Sequence, residues 1–398
     1  MQNLVILLAI VAALGLLMLQ RLSEARSWRA TVTPLASIIG SGFLVLGPIL
    51  DDSYGRYAPV VMAALCLGAW AFGAAIRFNI ARIDRTANQR SRAEDAIELA
   101  ASWALAFAYV ISVSYYLNLF GAFAVSLTPL DSPVHAREVT SAVLLLVLVV
   151  GWTRGFGALE RMEQVAVSLK LAIILGLLVG LAQYVARHAA AGDLVLNDPG
   201  LGGWPAVTLA FGLIVTVQGF ETARYLGETY DARTRIRAMR LAQGLATLIY
   251  MVYICLLAFD FPPGKVALSE TAIIDLMQLV APVLPVLLVA AALAAQFSAA
   301  VADTAGSGGL VAELTRGRVS SRQAYALLVA VGLLLTWSAD VFQIISYASR
   351  AFALYYALQA AIAAAGAWRT PGAPWRAPAF AALAVLGAAI AAFGTPVE

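Results

Sequence analysis

Two short stretches hold the residues from which binding chemistry can be built. Ser37-Ile38-Ile39-Gly40-Ser41-Gly42-Phe43 lies in an apolar segment of about 32–50, and Thr216-Val217-Gln218-Gly219-Phe220-Glu221 in one of about 207–225. Gly-Ser-Gly is poor helix material at the depth where a membrane helix should be most regular. Unwound backbone is tolerated there only where it lines a cavity or is buried in protein. The helix that resumes beyond such a break offers free N–H groups, here those of Gly40, Ser41 and Gly42, which bind anions such as a carboxylate. Carbonyls around Val215 to Gln218, at the end of the other half-helix, attract an ammonium. The candidate binding residues are therefore Ile39, Gly40, Ser41, Gly42 and Phe43 in the first break, and Val215, Gln218, Gly219 and Phe220 in the second. An offset of 177 residues lays Gly42 on Gly219, Phe43 on Phe220 and Asp51 on Glu228. Paired interruptions at corresponding places in two halves point to a solute site between them.

Ionisable residues inside apolar segments form a second set. Lys170 lies well within a span, where an ammonium costs at least ~2.5 kcal/mol and needs a partner. It either snorkels to an interface, sits in a static ion pair, or serves the site. Asp303 and Thr304 follow the run Gln296 to Ala302 and supply hard oxygens; the bland alternative for Asp303 is a solvated carboxylate near a helix end. Glu221 is either a proton carrier, its charged form disfavoured by burial, or a structural tie for the broken helix. Arg350 either faces the cavity and recognises an acid, or pairs with Glu221 or another carboxylate. Tyr109, Ser112 and Tyr116 share a helix face by i, i+3, i+7 spacing and can line the site or simply pack. Phe43 and Phe220 can gate a cavity or belong to the core.

The elements that must position these residues are membrane helices. Of 398 residues, 62% are hydrophobic and 12% charged, with mean hydropathy +0.84; this excludes a soluble globular domain. Cys66 and Cys255 lie in apolar segments as small buried residues, and no His/Cys cluster has metal-ligand spacing. No nucleophile–base pair or metal motif falls within the spans, so neither an enzyme nor a cofactor is expected. Apolar runs predict twelve spans, at about 4–19, 32–50, 57–76, 94–127, 139–152, 164–186, 207–225, 241–259, 283–302, 324–337, 341–365 and 379–393. The first lacks a basic leader and a cleavage site and reads as a retained helix. The stretch of about 261–282 reads as an external loop with a surface helix. With alternate loops on opposite sides, 20 of the 26 Lys/Arg fall on one side; Arg56, Arg137, Arg187 and Lys265 fall on the other, and Lys170 and Arg350 within spans. This asymmetry predicts cytoplasmic Arg-rich loops and both termini external.

Ile39-Gly40-Ser41-Gly42-Phe43 with Gly47-Pro48 resembles the first core helix of the amino acid–polyamine–organocation (APC) superfamily. Gly219-Phe220-Glu221, followed by an acidic and then a basic loop, resembles its sixth, and Gly155 to Glu160 with the flanking Gly151 to Lys170 its fourth-to-fifth connection. The resemblance covers about 34–365. It implies an all-α membrane protein of about twelve transmembrane helices with the LeuT-type fold, a 5+5 inverted repeat with discontinuous first and sixth core helices. The implied domains are an extra N-terminal helix and basic linker (1–30), a first repeat (31–190), a second repeat (200–366) and a C-terminal peripheral helix (367–398). The extra helix, and one rather than two helices after the core, depart from the family pattern. In the resemblance, Lys170 matches a fifth-helix lysine that stands where sodium-coupled relatives hold a cation. The sodium ligands of those relatives match Ala36, Ile39, Ala300, Asp303 and Thr304. Lys170 and sodium would repel, so the favoured reading is replacement of the ion by a Lys170–Asp303 pair. The expected function is a permease, symporter or antiporter, moving an amino acid or related small organic solute by alternating access in a bacterial cytoplasmic membrane. Its expected partners are that solute, the bilayer and, if an ion is coupled, a proton rather than sodium, with simple exchange without an ion also open and no nucleic acid. The alternatives are a sodium-coupled symporter of the same fold and a non-transporting sensor or binding subunit.

Overall fold

The computed structural model describes residues 2–19, 24–40, 42–85, 91–153, 163–259, 261 and 268–397. Ser41 and the Gly155–Glu160 motif lie outside the described residues. The chain is helical, with no strand among the described residues. Its order is α1 (Gln2–Leu17), α2 (Arg26–Ile38), α3 (Gly42–Tyr54), α4 (Ala58–Arg85), α5 (Arg92–Val125), α6 (Pro133–Thr153) and α7 (Glu163–Ala191). Then follow α8 (Gly203–Gly212), two 3-10 segments (Ile214–Val217 and Phe220–Glu228), α9 (Ala232–Leu257), α10 (Ala272–Val280), α11 (Leu284–Leu314), α12 (Ser321–Ser338), α13 (Val341–Arg369) and α14 (Ala377–Phe393).

Eight described stretches are long and apolar enough to cross a membrane, not twelve. Gly42–Asp84 counts as one of them, yet a 3-10 turn at Gly55–Tyr57, with Gly55 at φ +49°, divides it into α3 and α4. The other expected spans fall on α1, on the two broken segments and on α12. Each is short or interrupted, so its apolar run does not reach the ~20 residues an unbroken span needs.

Hydropathy also misplaced several helix ends. The span expected from about 241 begins as a helix at Ala232, because Asp231 caps it by accepting from Thr234 N at 2.7 Å; the arginines of its first turns are helical although not apolar. The span expected to end near Ala302 runs on to Leu314 through Gly306-Ser307-Gly308-Gly309, which stays helical although glycine is poor helix material; Gly308 lies close against Tyr325 and Gly306 close to Tyr109. Asp303 therefore lies mid-helix and 7% exposed, not at a solvated helix end. The stretch expected to carry a surface helix holds α10, but Ile273 and Met277 on it are fully buried, packed towards α11, α3 and α7.

α5 is the central post, packing along both α11 and α13. It starts sharply because Ser91 and Glu94 form a reciprocal capping box. α2 packs on α9 and on the second 3-10 segment, and α1 on α7. Gly176 and Gly180 on α7 give room for Ile6 and Ile10 of α1: an added Cβ at Gly180 would stand 3.0 Å from Ile6.

Candidate functional site

The two interruptions meet at the centre of the bundle. α2 stops at Ile38, where Ile39 N closes the last turn on Leu35 O at 3.0 Å, and α3 resumes at Gly42. α8 stops at Gly212; Ile214–Val217 winds as 3-10, Gln218 is extended, and Gly219 adopts φ +115°. Only glycine takes that conformation without strain. Position also forbids a side chain there, because a Cβ on Gly219 would lie 2.5 Å from Ser37 Oγ and 2.7 Å from Ile38 N. One on Gly42 would lie 2.7 Å from Thr216 Cα. The glycines thus let the two broken backbones touch.

Neighbouring helices tie down the exposed backbone groups. The Tyr250 hydroxyl of α9 lies 3.0 Å from Ile38 O and 2.6 Å from Thr216 O, sharing one donor between the two breaks. Ser349 Oγ of α13 donates to Gly212 O at 2.5 Å and accepts from Val215 N at 3.0 Å. Thr222 Oγ1 donates to Gly219 O at 2.8 Å. Of the carbonyls expected to hold an ammonium, that of Thr216 is engaged by Tyr250, and that of Val215 accepts from Gln218 N at 3.2 Å. The internal bonds are favoured because a buried carbonyl without a donor is costly. By helix geometry the first-turn N–H groups of α3 have no intrahelical partner.

Around this backbone stands a buried polar set. Gln218 Nε2 donates to Tyr116 OH at 3.2 Å, while Gln218 Oε1 is buried without a partner. Glu221 Oε2 accepts from Gly219 N at 2.9 Å and from Tyr356 OH at 2.8 Å; its Oε1 is also buried and unpartnered. The Tyr356 ring lies between those of Phe220 and Phe72, at 5.1 and 5.3 Å. Phe43 packs on Tyr253 at 4.4 Å, and Tyr109 meets Phe352 edge-on. Both side-chain polar atoms of the fully buried Gln296 lack partners.

The expected Lys170–Asp303 pair is resolved differently. Lys170 Nζ donates to Ala36 O at 2.9 Å, and the Asp303 carboxylate accepts from Ser112 Oγ. Both groups still line one cavity of about 40 Å³, with Thr33, Ser37, Thr222 and Ser298. That is room for one water or a small ion, not an organic solute. Thr304 Oγ1 donates to Ala300 O at 2.6 Å. Ser112 and Tyr116 thus reach the polar centre from α5, as their spacing allows. Arg350 does not reach Glu221. It is exposed, and its Nε donates to Ala391 O at 2.7 Å beside the C-terminal residues.

Several residues of this site gave no signal in the sequence. Tyr250, Ser349 and Tyr356 are single polar residues on apolar helices, and only the tertiary fold brings them to the breaks. The same holds for a layer nearer the Arg-rich loops. There Arg224 of the second 3-10 segment pairs with Glu98 of α5 at 2.6 Å and also bonds Gln359 of α13. Asn79 of α4 bonds the same Gln359 at 2.9 Å. Glu94 is 1% exposed between Arg82 and Arg369.

Comparison with known proteins fixes the family. A family model described as an APC superfamily transporter matches residues 20–394. The chain belongs to the APC superfamily of transporters. A relative from Aquifex aeolicus (strain VF5), an uncharacterized protein, is 42% identical over 352 residues, covering 86% of this chain and 84% of the relative. Family and apolar helices together make this an integral membrane protein.

Proposed function

We propose that this APC member is a secondary active transporter of an amino acid or related small organic solute, working by alternating access. The observation that carries the reading is the meeting of the two helix breaks. The first-turn N–H groups of α3 are arranged to take a carboxylate. Gln218 and Glu221 bring unspent acceptor atoms to the same centre for a positively charged or polar group. In this reading the helices form a twelve-span LeuT-type 5+5 arrangement, with repeats over 31–190 and 200–366. α1 and α14 are peripheral, both termini are external, and the membrane is a bacterial cytoplasmic one. The Arg-rich loops support that orientation.

Transport in this reading does not use sodium. Ala36 O, one of the oxygens a sodium ion would need, is taken by the Lys170 ammonium at 2.9 Å. Two cations ~4 Å apart at an effective dielectric of ~20 repel by about 4 kcal/mol. The test is uptake and counterflow of radiolabelled amino acids, amines and organic acids in proteoliposomes, with sodium replaced by choline at fixed pH and then with a pH gradient alone. Uptake should persist in choline. An absolute sodium requirement would make Ala36, Ile39, Ala300, Asp303 and Thr304 an ion site and reject the replacement. Binding without counterflow would mark a sensor.

A further inference from the structure

A groove of about 830 Å³ opens on the flank of the bundle, between α4, α9 and the turn from α13 into α14, on the side of the Arg-rich loops. It lies away from the helix breaks and shares no residue with them. Four arginines line it, Arg77, Arg82, Arg240 and Arg376, and no carboxylate does. Arg82 is committed to Glu94. Arg77 is the telling member: it is 6% exposed, yet its contacts are neutral. Its guanidinium bonds the Gln243 side-chain oxygen and Trp70 O, and stands 5.0 Å from the Trp70 ring centroid. A guanidinium withdrawn from water needs an anion, and none of the ion pairs among the described residues supplies one to Arg77, Arg240 or Arg376.

The walls say which anion. Trp70 is 40% and Trp375 71% exposed beside these arginines, and Phe380 continues the wall. Exposed tryptophans flanking arginines are the pattern of a membrane interface. Arg77 lies seven residues beyond Trp70 on α4, about 10 Å along the helix backbone, but its side chain reaches back so that the guanidinium adjoins the Trp70 ring. A soluble anion would leave the aromatic wall unused, whereas a lipid fills both parts. We propose that this groove is a binding site for an anionic phospholipid, its phosphate and headgroup held by Arg77, Arg240 and Arg376 and its acyl chains running along Trp70 and Phe380. Basic pockets between helices at that level bind such headgroups through charge and hydrogen bonding together.

The test uses the full-length protein in detergent micelles doped with phosphatidylglycerol or phosphatidylcholine, followed by thermal unfolding and by native mass spectrometry. Phosphatidylglycerol should raise the unfolding midpoint above that in phosphatidylcholine and remain bound in the mass spectrum. Arg240 and Arg376 are exposed, so the double variant Arg240→Gln/Arg376→Gln should fold normally. It should lose the specific rise, with affinity for phosphatidylglycerol falling about fivefold per arginine removed. Arg233→Gln/Arg237→Gln, an exposed pair on the same basic face but outside the groove, should retain it. Equal responses to the two lipids, an unchanged response in the groove variant, or an equal loss in the control pair would overturn the site. A rise matched by inorganic phosphate alone would assign the arginines to a soluble anion and overturn the lipid.

Discussion

The two helix breaks are alike in sequence and unlike in construction. The first passes from Ile38 to Gly42, and its α2 end is braced by side chains, Lys170 on Ala36 O and Tyr250 on Ile38 O. Its α3 end is held by packing, Gly42 against Thr216 and Phe43 against Tyr253. The second break, from Leu213 to Gly219, is braced on both ends. Ser349 fixes the α8 side, and Glu221 with Tyr356 fixes the side beyond Gly219. One break leaves the first-turn N–H groups of α3 without intrahelical partners. The other spends its backbone internally and offers side chains instead. A pair of similar motifs can therefore divide the labour of a site, because what each leaves available depends on which neighbours satisfy its backbone.

This contrast is most exposed to test at the glycines. Gly219→Val should be the most damaging change: the left-handed φ costs about 1–2 kcal/mol, and the clash with Ser37 and Ile38 about 1–3 more. Gly40→Ala, whose Cβ would stand 3.1 Å from Ser37 O and 3.9 Å from Tyr116, should cost under about 1 kcal/mol. Thermal unfolding in detergent compares them; equal losses would mean that the breaks do not touch as described. Gly42→Val falls between: it should insert and fold but lose substrate binding through the contact with Thr216.

Next in size is Tyr250→Phe, which strips the shared donor from Ile38 O and Thr216 O and should destabilise by about 2 kcal/mol. Ser349→Ala should cost about 1–2 kcal/mol by the same reasoning. If Tyr250→Phe were neutral, the breaks would be joined by packing alone.

Glu221→Gln should change stability least of these, by under about 1 kcal/mol, because an amide oxygen still accepts from Gly219 N and Tyr356 OH. Its effect should appear in coupling, with uptake driven by a pH gradient lost and counterflow kept. Survival of gradient-driven uptake would leave Glu221 as a brace only. Cysteines at Asp84 and Ser269 should leave stability unchanged and label from opposite sides of the membrane, with position 84 reached from the cytoplasm. Labelling of position 84 from outside would invert the orientation.

The sequence by itself determined that this chain crosses a membrane repeatedly as helices, and where two of those helices break. Composition suffices for the helices, since lipid leaves the backbone few alternatives; the breaks followed from paired interruptions in the two halves, because glycine alone does not break a helix, as Gly306-Ser307-Gly308-Gly309 within α11 shows. It also identified Lys170, Glu221 and Asp303 as buried ionisable residues, because charge inside an apolar run is visible without a structure. Helix ends were less legible: arginines before Leu241 and small residues after Ala302 are helical for reasons of capping and packing, which hydropathy does not measure. The partners were decided by the tertiary structure alone. Lys170 takes a carbonyl while Asp303 takes Ser112, and Arg350 turns away to the C-terminal residues. Hydrogen bonds reach only about 3 Å, so which donor meets which acceptor depends on helix rotation and offset between segments far apart in the chain, from 41 residues for Arg350 to 191 for Asp303.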